Sequence, residues 1–266
     1  MPEVNTSVSS RIYYRKMGTG PVAVLLHGFP ESGTLWRNVW DYLSAYYTLL
    51  IPDMPGTGDS LLEGSAGIED MATTVKTMLD AEHVEKAIVV GHSMGGYIAF
   101  AFAALFPQYV QGLSLIHSTP LADDDEKKQT RKKVIDIVDK GGKDLFLSQM
   151  VPGLFAEEFV KEHPNLVKEQ VTNAQTMSKE GLMNFYTAMM DRKERINVLE
   201  TATYPIQWII GAKDALIPAQ KLIGFSHTSA VNYVSYYKEC GHISMVEAPK
   251  RLQTDLKYFF DNCYVE

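Results

Sequence analysis

One hexapeptide constrains this chain more than any other stretch: Gly91-His92-Ser93-Met94-Gly95-Gly96. It fits the pattern G-x-S-x-G. In front of it stands Ala87-Ile88-Val89-Val90, an apolar, β-branched run that reads as a buried strand. Behind it runs Tyr97 to Phe106, rich in helix formers and stopped by Pro107. Strand, sharp turn and helix are the context that gives the motif chemical meaning. Such a turn forces the serine backbone into an unfavourable region, and side chains at Gly91 and Gly95 would collide across it. The Ser93 hydroxyl is thereby lifted off the sheet. The N–H of Met94, opening the helix, faces the place where an oxyanion would form.

The rest of the chain supplies a matching α/β rhythm. Val8–Lys16 reads as an edge strand and Val22–Leu26 as a strand covered on both faces. Residues 34–45 have helical spacing. Thr48–Ile51 is a strand, followed by the turn Asp53-Met54-Pro55-Gly56-Thr57-Gly58, and Ile68–Ala81 is a helix. Val110–Ile116 is a further strand. From Leu121 to Ala202 no strand is expected, only helices: an exposed one with the acidic start Asp123-Asp124-Asp125-Glu126 and a basic body to Lys133, then Phe155–Glu162, Asn165–Met177 and Leu182–Met190. The βα rhythm returns with the strand Pro205–Ile210, a helix Pro218–Phe225, the strand Val231–Tyr237 and a closing helix Met245–Phe260. Alternation predicts an α/β fold with a mostly parallel central sheet and helices on both faces. Residues 1–119 and 203–266 are expected to form its core, and 120–202 a helical insertion.

A serine hydroxyl needs a base, and the base needs a partner that holds its tautomer. Both should lie beyond the C-terminal ends of parallel strands, where loops converge. Asp214, in Gly211-Ala212-Lys213-Asp214, and His242, after the last strand, meet that test. Their chain order, Ser, Asp, His, is the one expected for this kind of elbow. The other histidines fit less well. His27 and His92 suit structural hydrogen bonds, and His83, His163 and His227 suit the surface. His117, at the end of its strand, is the rival to His242. Asp53 reads as a turn anchor, and Asp123 is the fallback acid.

Composition narrows the partners. Forty-five per cent hydrophobic residues in 266 suffice for a large core. A net charge of −7 without a basic run argues against nucleic acid and anionic membranes. Two cysteines make neither a disulfide framework nor a metal site. No leader and no apolar run of about twenty residues is seen, so a cytoplasmic location is expected.

On five motifs in order, the chain resembles the α/β-hydrolase superfamily: His27-Gly28-Phe29-Pro30, Asp53-Met54-Pro55-Gly56-Thr57-Gly58-Asp59-Ser60, the elbow, Gly211-Ala212-Lys213-Asp214, and Gly241-His242. Within it, the chain is most similar to small carboxylesterases, enol-lactonases and cofactor-free perhydrolases. The resemblance implies Ser93 as nucleophile, His242 as base and Asp214 as its orienting acid. It implies an oxyanion hole from the N–H groups of Phe29 and Met94, and a helical cap over the site from about 120 to 202. No metal or organic cofactor is implied, and the partner would be a small-molecule ester. Epoxide hydrolases and haloalkane dehalogenases of this fold carry aspartate at the elbow, where this chain has Ser93. Two alternatives stay open. One is hydrolytic carbon–carbon cleavage of a diketone-like substrate, favoured by a cationic residue such as Arg192 or Arg195. The other is a ligand-binding receptor that retains the triad. The apolar residues of 145–190 suggest an adaptable, apolar pocket wall.

Overall fold

The computed structural model describes residues 2–264. Met1, Val265 and Glu266, at the ends of the expected core, lie outside the described residues. Eight strands form one sheet: β1 Glu3–Thr6, β2 Ser9–Met17, β3 Val22–Leu26, β4 Thr48–Pro52, β5 Ala87–His92, β6 Val110–Ile116, β7 Ile206–Gly211 and β8 Asn232–Tyr237. Their spatial order is β1-β2-β4-β3-β5-β6-β7-β8. β1 and β2 pair antiparallel, as do β2 and β4, and every other pairing is parallel. β3 is a continuous apolar run, and β5 and β7 are buried along their whole length, because the sheet is covered on both faces.

The helices are α1 Arg37–Ser44, α2 Ile68–Ala81, α3 Met94–Leu105, α4 Asp125–Ile137, α5 Lys143–Met150, α6 Glu157–Glu162, α7 Pro164–Gln175, α8 Lys179–Asp191, α9 Ile196–Thr201, α10 Ala219–Phe225, α11 Ser244–Glu247 and α12 Pro249–Cys263. Neighbouring residues on β7 show the layering, because side chains alternate across a strand. Gln207 donates to the Asp255 carbonyl of α12 at 2.9 Å. Trp208, one residue on, packs against Phe100 of α3 with ring centroids 6.5 Å apart. α12 and α3 therefore cover opposite faces.

Two expectations need correction. The closing helix is two helices: Pro249 opens α12, and Ala248 before it is extended away from helical geometry, at φ −142°. The antiparallel edge also gains β1, too short to carry a pattern.

Between β6 and β7 the chain runs through α4 to α9 without a strand. Asn184 of α8 clasps the backbone of Ala66, accepting from its N–H at 2.9 Å and donating to its carbonyl at 3.0 Å. Beside it Gly181 abuts Gly56: a Cβ on Gly181 would sit 2.5 Å from the Gly56 carbonyl oxygen. No helix among the described residues is long and apolar enough to cross a membrane.

The strand order reverses direction at β3, which lies between β4 and β5. Such a switch point opens a crevice beyond the strand ends. The loops after β3 and β5 meet there.

Candidate active site

Ser93 sits at the turn between β5 and α3 with φ 50° and ψ −115°. A non-glycine residue in that region is strained and must be held by its surroundings. Its N–H donates to the Ile116 carbonyl at 2.9 Å, and its carbonyl accepts from Ser118 Oγ at 2.8 Å. The glycines around it are there for space. A Cβ on Gly91 would lie 2.4 Å from the Gly95 carbonyl oxygen, and one on Gly95 would lie 2.3 Å from that of Leu26.

The loops after β5, β7 and β8 bring three distant residues into one line. His242 Nε2 lies 2.8 Å from Ser93 Oγ, and His242 Nδ1 lies 2.7 Å from Asp214 Oδ2. The remaining oxygen of Asp214 accepts from the N–H groups of Leu216 at 2.9 Å and Ile217 at 3.0 Å. Burial raises the Asp214 carboxyl, but the charge and hydrogen bond of His242 outweigh it and hold it at about 2. For His242 burial lowers the pKa, yet the Asp214 charge and hydrogen bond prevail and raise it above 6.5.

The His242 backbone is pinned as well. Its N–H donates to the Leu154 carbonyl at 2.7 Å, and its carbonyl accepts from His92 Nε2 at 2.8 Å. Glu247 ties the same loop to residue 156. Its carboxylate accepts from Gly241 N–H at 3.0 Å, Ile243 N–H at 3.2 Å and Ala156 N–H at 2.9 Å.

The loop after β3 reaches the elbow. A Cβ on Gly28 would come within 2.8 Å of His92 Nδ1 and 3.1 Å of Ser93 Cβ, so a side chain there would force its neighbours to shift. Phe29 follows it, edge-on to Tyr186 with centroids 5.0 Å apart. Among the described residues no hydrogen bond occupies the N–H of Phe29 or of Met94.

The rivals have other work. His117 is fully buried, and its Nδ1 accepts from Gly211 N–H at 3.2 Å. Burial pushes its pKa down to about 3. Asp123 pairs with Arg131 at 2.6 Å and Arg192 at 2.8 Å. Asp53 is the expected turn anchor, accepting from Gly33 N–H at 2.7 Å and Asp59 N–H at 3.0 Å. His27 makes backbone bonds to Gly28 and Met54. His83, His163 and His227 are exposed.

A cavity of about 200 Å³ is lined by Pro30 and Glu31, which follow Phe29, and by Ile243, which follows His242; Ser93, His242 and Asp214 themselves do not line it. Its far wall comes from the inserted helices, with Val151, Leu154 and Met177 apolar and Gln170, Asn173 and Thr176 polar. The wall is mixed, not purely apolar as expected. Leu182, Phe185, Tyr186, Met189 and Met190 are buried in packing instead, and Leu145 is 65% exposed.

A sequence profile of the alpha/beta hydrolase fold matches residues 21–249. The chain belongs to the α/β-hydrolase family. Among relatives of this α/β-hydrolase, a soluble epoxide hydrolase from a Corynebacterium species is 37% identical over 112 residues, which are 41% of this chain and 39% of that one. A pimeloyl-[acyl-carrier protein] methyl ester esterase from Vibrio campbellii is 33% identical over 113 residues, 42% of this chain and 43% of that one. The matches to the first four curated relatives span only 33% to 39% of their lengths. Among solved structures, a thermophilic esterase from Thermogutta terrifontis superposes with a TM-score of 0.94 at 24% identity, over 99% of each chain. At that identity the likeness speaks for the fold.

Two carboxylates near this α/β-hydrolase's site were missed from sequence. Glu31 directly follows His27-Gly28-Phe29-Pro30, and Glu247 lies five residues after His242. Their nearness to two recognised loops was the only available signal.

Proposed function

We propose that this α/β-hydrolase is a serine carboxylesterase for small to medium esters. The observation that carries the reading is the unbroken line Ser93 Oγ, His242 Nε2, His242 Nδ1, Asp214 Oδ2, with links of 2.8 and 2.7 Å. Those lengths suit a hydroxyl whose proton passes to a histidine held in one tautomer.

In this reading Ser93 Oγ attacks the ester carbonyl as His242 takes its proton. Asp214 stays ionised and stabilises the imidazolium. The free N–H groups of Phe29 and Met94 receive the oxyanion, each donor contributing about 3 kcal/mol. The imidazolium gives its proton to the leaving alkoxide, and an acyl-enzyme remains. Water, deprotonated by His242, releases the acid. The helices from 120 to 202 act as a cap over the site. The cavity walled by Val151, Leu154 and Met177 takes the aliphatic part of the substrate, with Asn173 and Gln170 beside a polar end.

Epoxide opening is not proposed, despite the Corynebacterium relative, because the elbow carries Ser93. Carbon–carbon cleavage loses its expected cations. Arg192 is spent on Asp123, the Met189 carbonyl and the face of Tyr97, and Arg195 on Glu69.

The test is a panel of p-nitrophenyl esters of rising chain length beside a diketone panel. Turnover of the esters alone is expected. Cleavage of diketones alone would overturn the ester reading, and tight binding without turnover would favour a receptor.

A further inference from the structure

His92, the residue before the nucleophile, carries a constraint on its protons. Its Nε2 lies 2.8 Å from the His242 carbonyl oxygen. A carbonyl only accepts, so Nε2 holds a hydrogen. In a neutral imidazole the other nitrogen, Nδ1, then presents a lone pair. Nδ1 faces Glu31 Oε2 at 3.3 Å. Neither atom has a hydrogen-bond partner among the described residues, nor has Glu31 Oε1, and all three are sealed from solvent. The His92 side chain is 1% exposed and that of Glu31 10%.

A carboxylate and a neutral Nδ1 would set two lone pairs against each other in a buried place, leaving an unpaired charge there. Both are costly. One proton between them removes both costs. It sits on the carboxyl, which donates to Nδ1, or on Nδ1, which donates to the carboxylate. Either way the pair is neutral overall. We propose that Glu31 and His92 share one proton, and that Glu31 is thereby a positioning residue for His242.

The connection spans the site. Glu31 belongs to the loop that carries the Phe29 N–H. His92 adjoins Ser93. His92 Nε2 holds the main-chain carbonyl of His242. The 3.3 Å approach of Glu31 to His92 and the hydrogen bond from His92 to the His242 carbonyl thus join the oxyanion loop, the elbow and the base. The titratable groups facing the pair are His27, His117 and His242. Burial lowers the pKa of both His27 and His117, so His242 is the neighbour that titrates. The effect on rate rests on the esterase reading above, whereas the shared proton does not.

Two substitutions separate the possibilities. Glu31→Gln supplies an amide N–H that donates to neutral Nδ1 and keeps the pair uncharged. It should retain kcat within about twofold, with the acid limb of the kcat/KM profile unmoved. Glu31→Leu leaves Nδ1 without a partner and frees the ring to turn. A misplacement of about 1 Å at a reacting group costs about 100-fold, so kcat should fall by that order with KM little changed. In a His92→Gln background, where the amide still reaches the His242 carbonyl, Glu31→Leu should cost nothing further. Histidine ¹⁵N-edited NMR on resting protein reads the proton without catalysis. A downfield signal bridging His92 should be present in the wild type and absent in Glu31→Leu. Loss in Glu31→Gln as large as in Glu31→Leu would overturn the proposal, as would full activity in Glu31→Leu. So would absence of the bridging signal. A bridging signal in a protein that hydrolyses no ester would leave the shared proton standing and overturn the esterase reading.

Discussion

The main-chain N–H of His242 donates to the Leu154 carbonyl at 2.7 Å, so the loop bearing the proposed base is bonded directly to the inserted helices. Glu247 doubles that bond by accepting N–H groups from both sides, at residues 241, 243 and 156. Placing the base and shaping the cavity are therefore one structural task.

Removing Glu247 should reveal this. Glu247→Ala leaves three N–H groups without their acceptor. Each buried, unsatisfied group costs about 1–3 kcal/mol, and partial hydration should bring the total to about 3 kcal/mol. Urea unfolding measures it. Among the folded molecules kcat should fall more than KM rises. A variant with unchanged stability and unchanged kcat would show that the Leu154 bond alone places His242.

Asp214→Asn should lower kcat by about 10⁴-fold with a modest change in KM, because the imidazole would adopt the wrong tautomer. Asp123 offers no substitute, being locked between Arg131 and Arg192. Near-normal turnover in this variant would remove Asp214 from the proposed triad.

The pH dependence follows from the direction of the His242 shift. Its pKa is raised above 6.5, mainly through Asp214 working against burial. Only neutral His242 accepts the serine proton. The kcat/KM of the free enzyme should therefore fall as pH drops through that raised value, with its acid limb centred above 6.5. Replacing Asp214 removes the raising influence, so the limb of the residual activity should move to lower pH. A wild-type limb well below 6.5 would contradict the geometry.

The glycines give a paired stability test. Gly95→Ala would drive a Cβ to 2.3 Å from the Leu26 carbonyl oxygen, a backbone atom that has no room to retreat. A loss of about 3 kcal/mol or more is expected. Gly224, inside α10, has nothing within 4 Å of a new Cβ. Gly224→Ala should gain about 0.5–1 kcal/mol from helix propensity. Equal effects at the two positions would refute the role given to the elbow glycines.

Much of this was legible in the sequence because the signals were local. The elbow announced itself by strand, glycines and helix within twenty residues, and α2 and β6 were read to their exact ends, Ile68–Ala81 and Val110–Ile116. His242 and Asp214 were singled out because strand ends converge. What stayed hidden depended on distant partners. Nothing near Glu31 signals that it faces His92, and nothing near Glu247 signals Ala156. The apolar side chains of 182–190 looked available for a pocket, yet α8 spends Leu182 and Phe185 on packing. Sequence counts apolar residues on an insertion without saying which face is already covered. The cavity wall consequently fell to Val151, Leu154 and α7, whose polar face includes Gln170 and Asn173.

Substrate size offers a further check on that cavity. Each methylene buried should add about 0.8 kcal/mol, roughly fourfold in kcat/KM. The rise should stop once the space of about 200 Å³ is filled. A flat profile from acetate to octanoate esters would mean that the acyl group lies elsewhere.

The most direct measurement is covalent. A fluorophosphonate should react with the intact protein once per chain, and peptide mass mapping should place the phosphonyl group on Ser93. Labelling should be abolished in Ser93→Ala and slowed by orders of magnitude in His242→Ala, while both variants keep the wild-type circular dichroism. Label on another residue, or wild-type rates in His242→Ala, would contradict an activated Ser93.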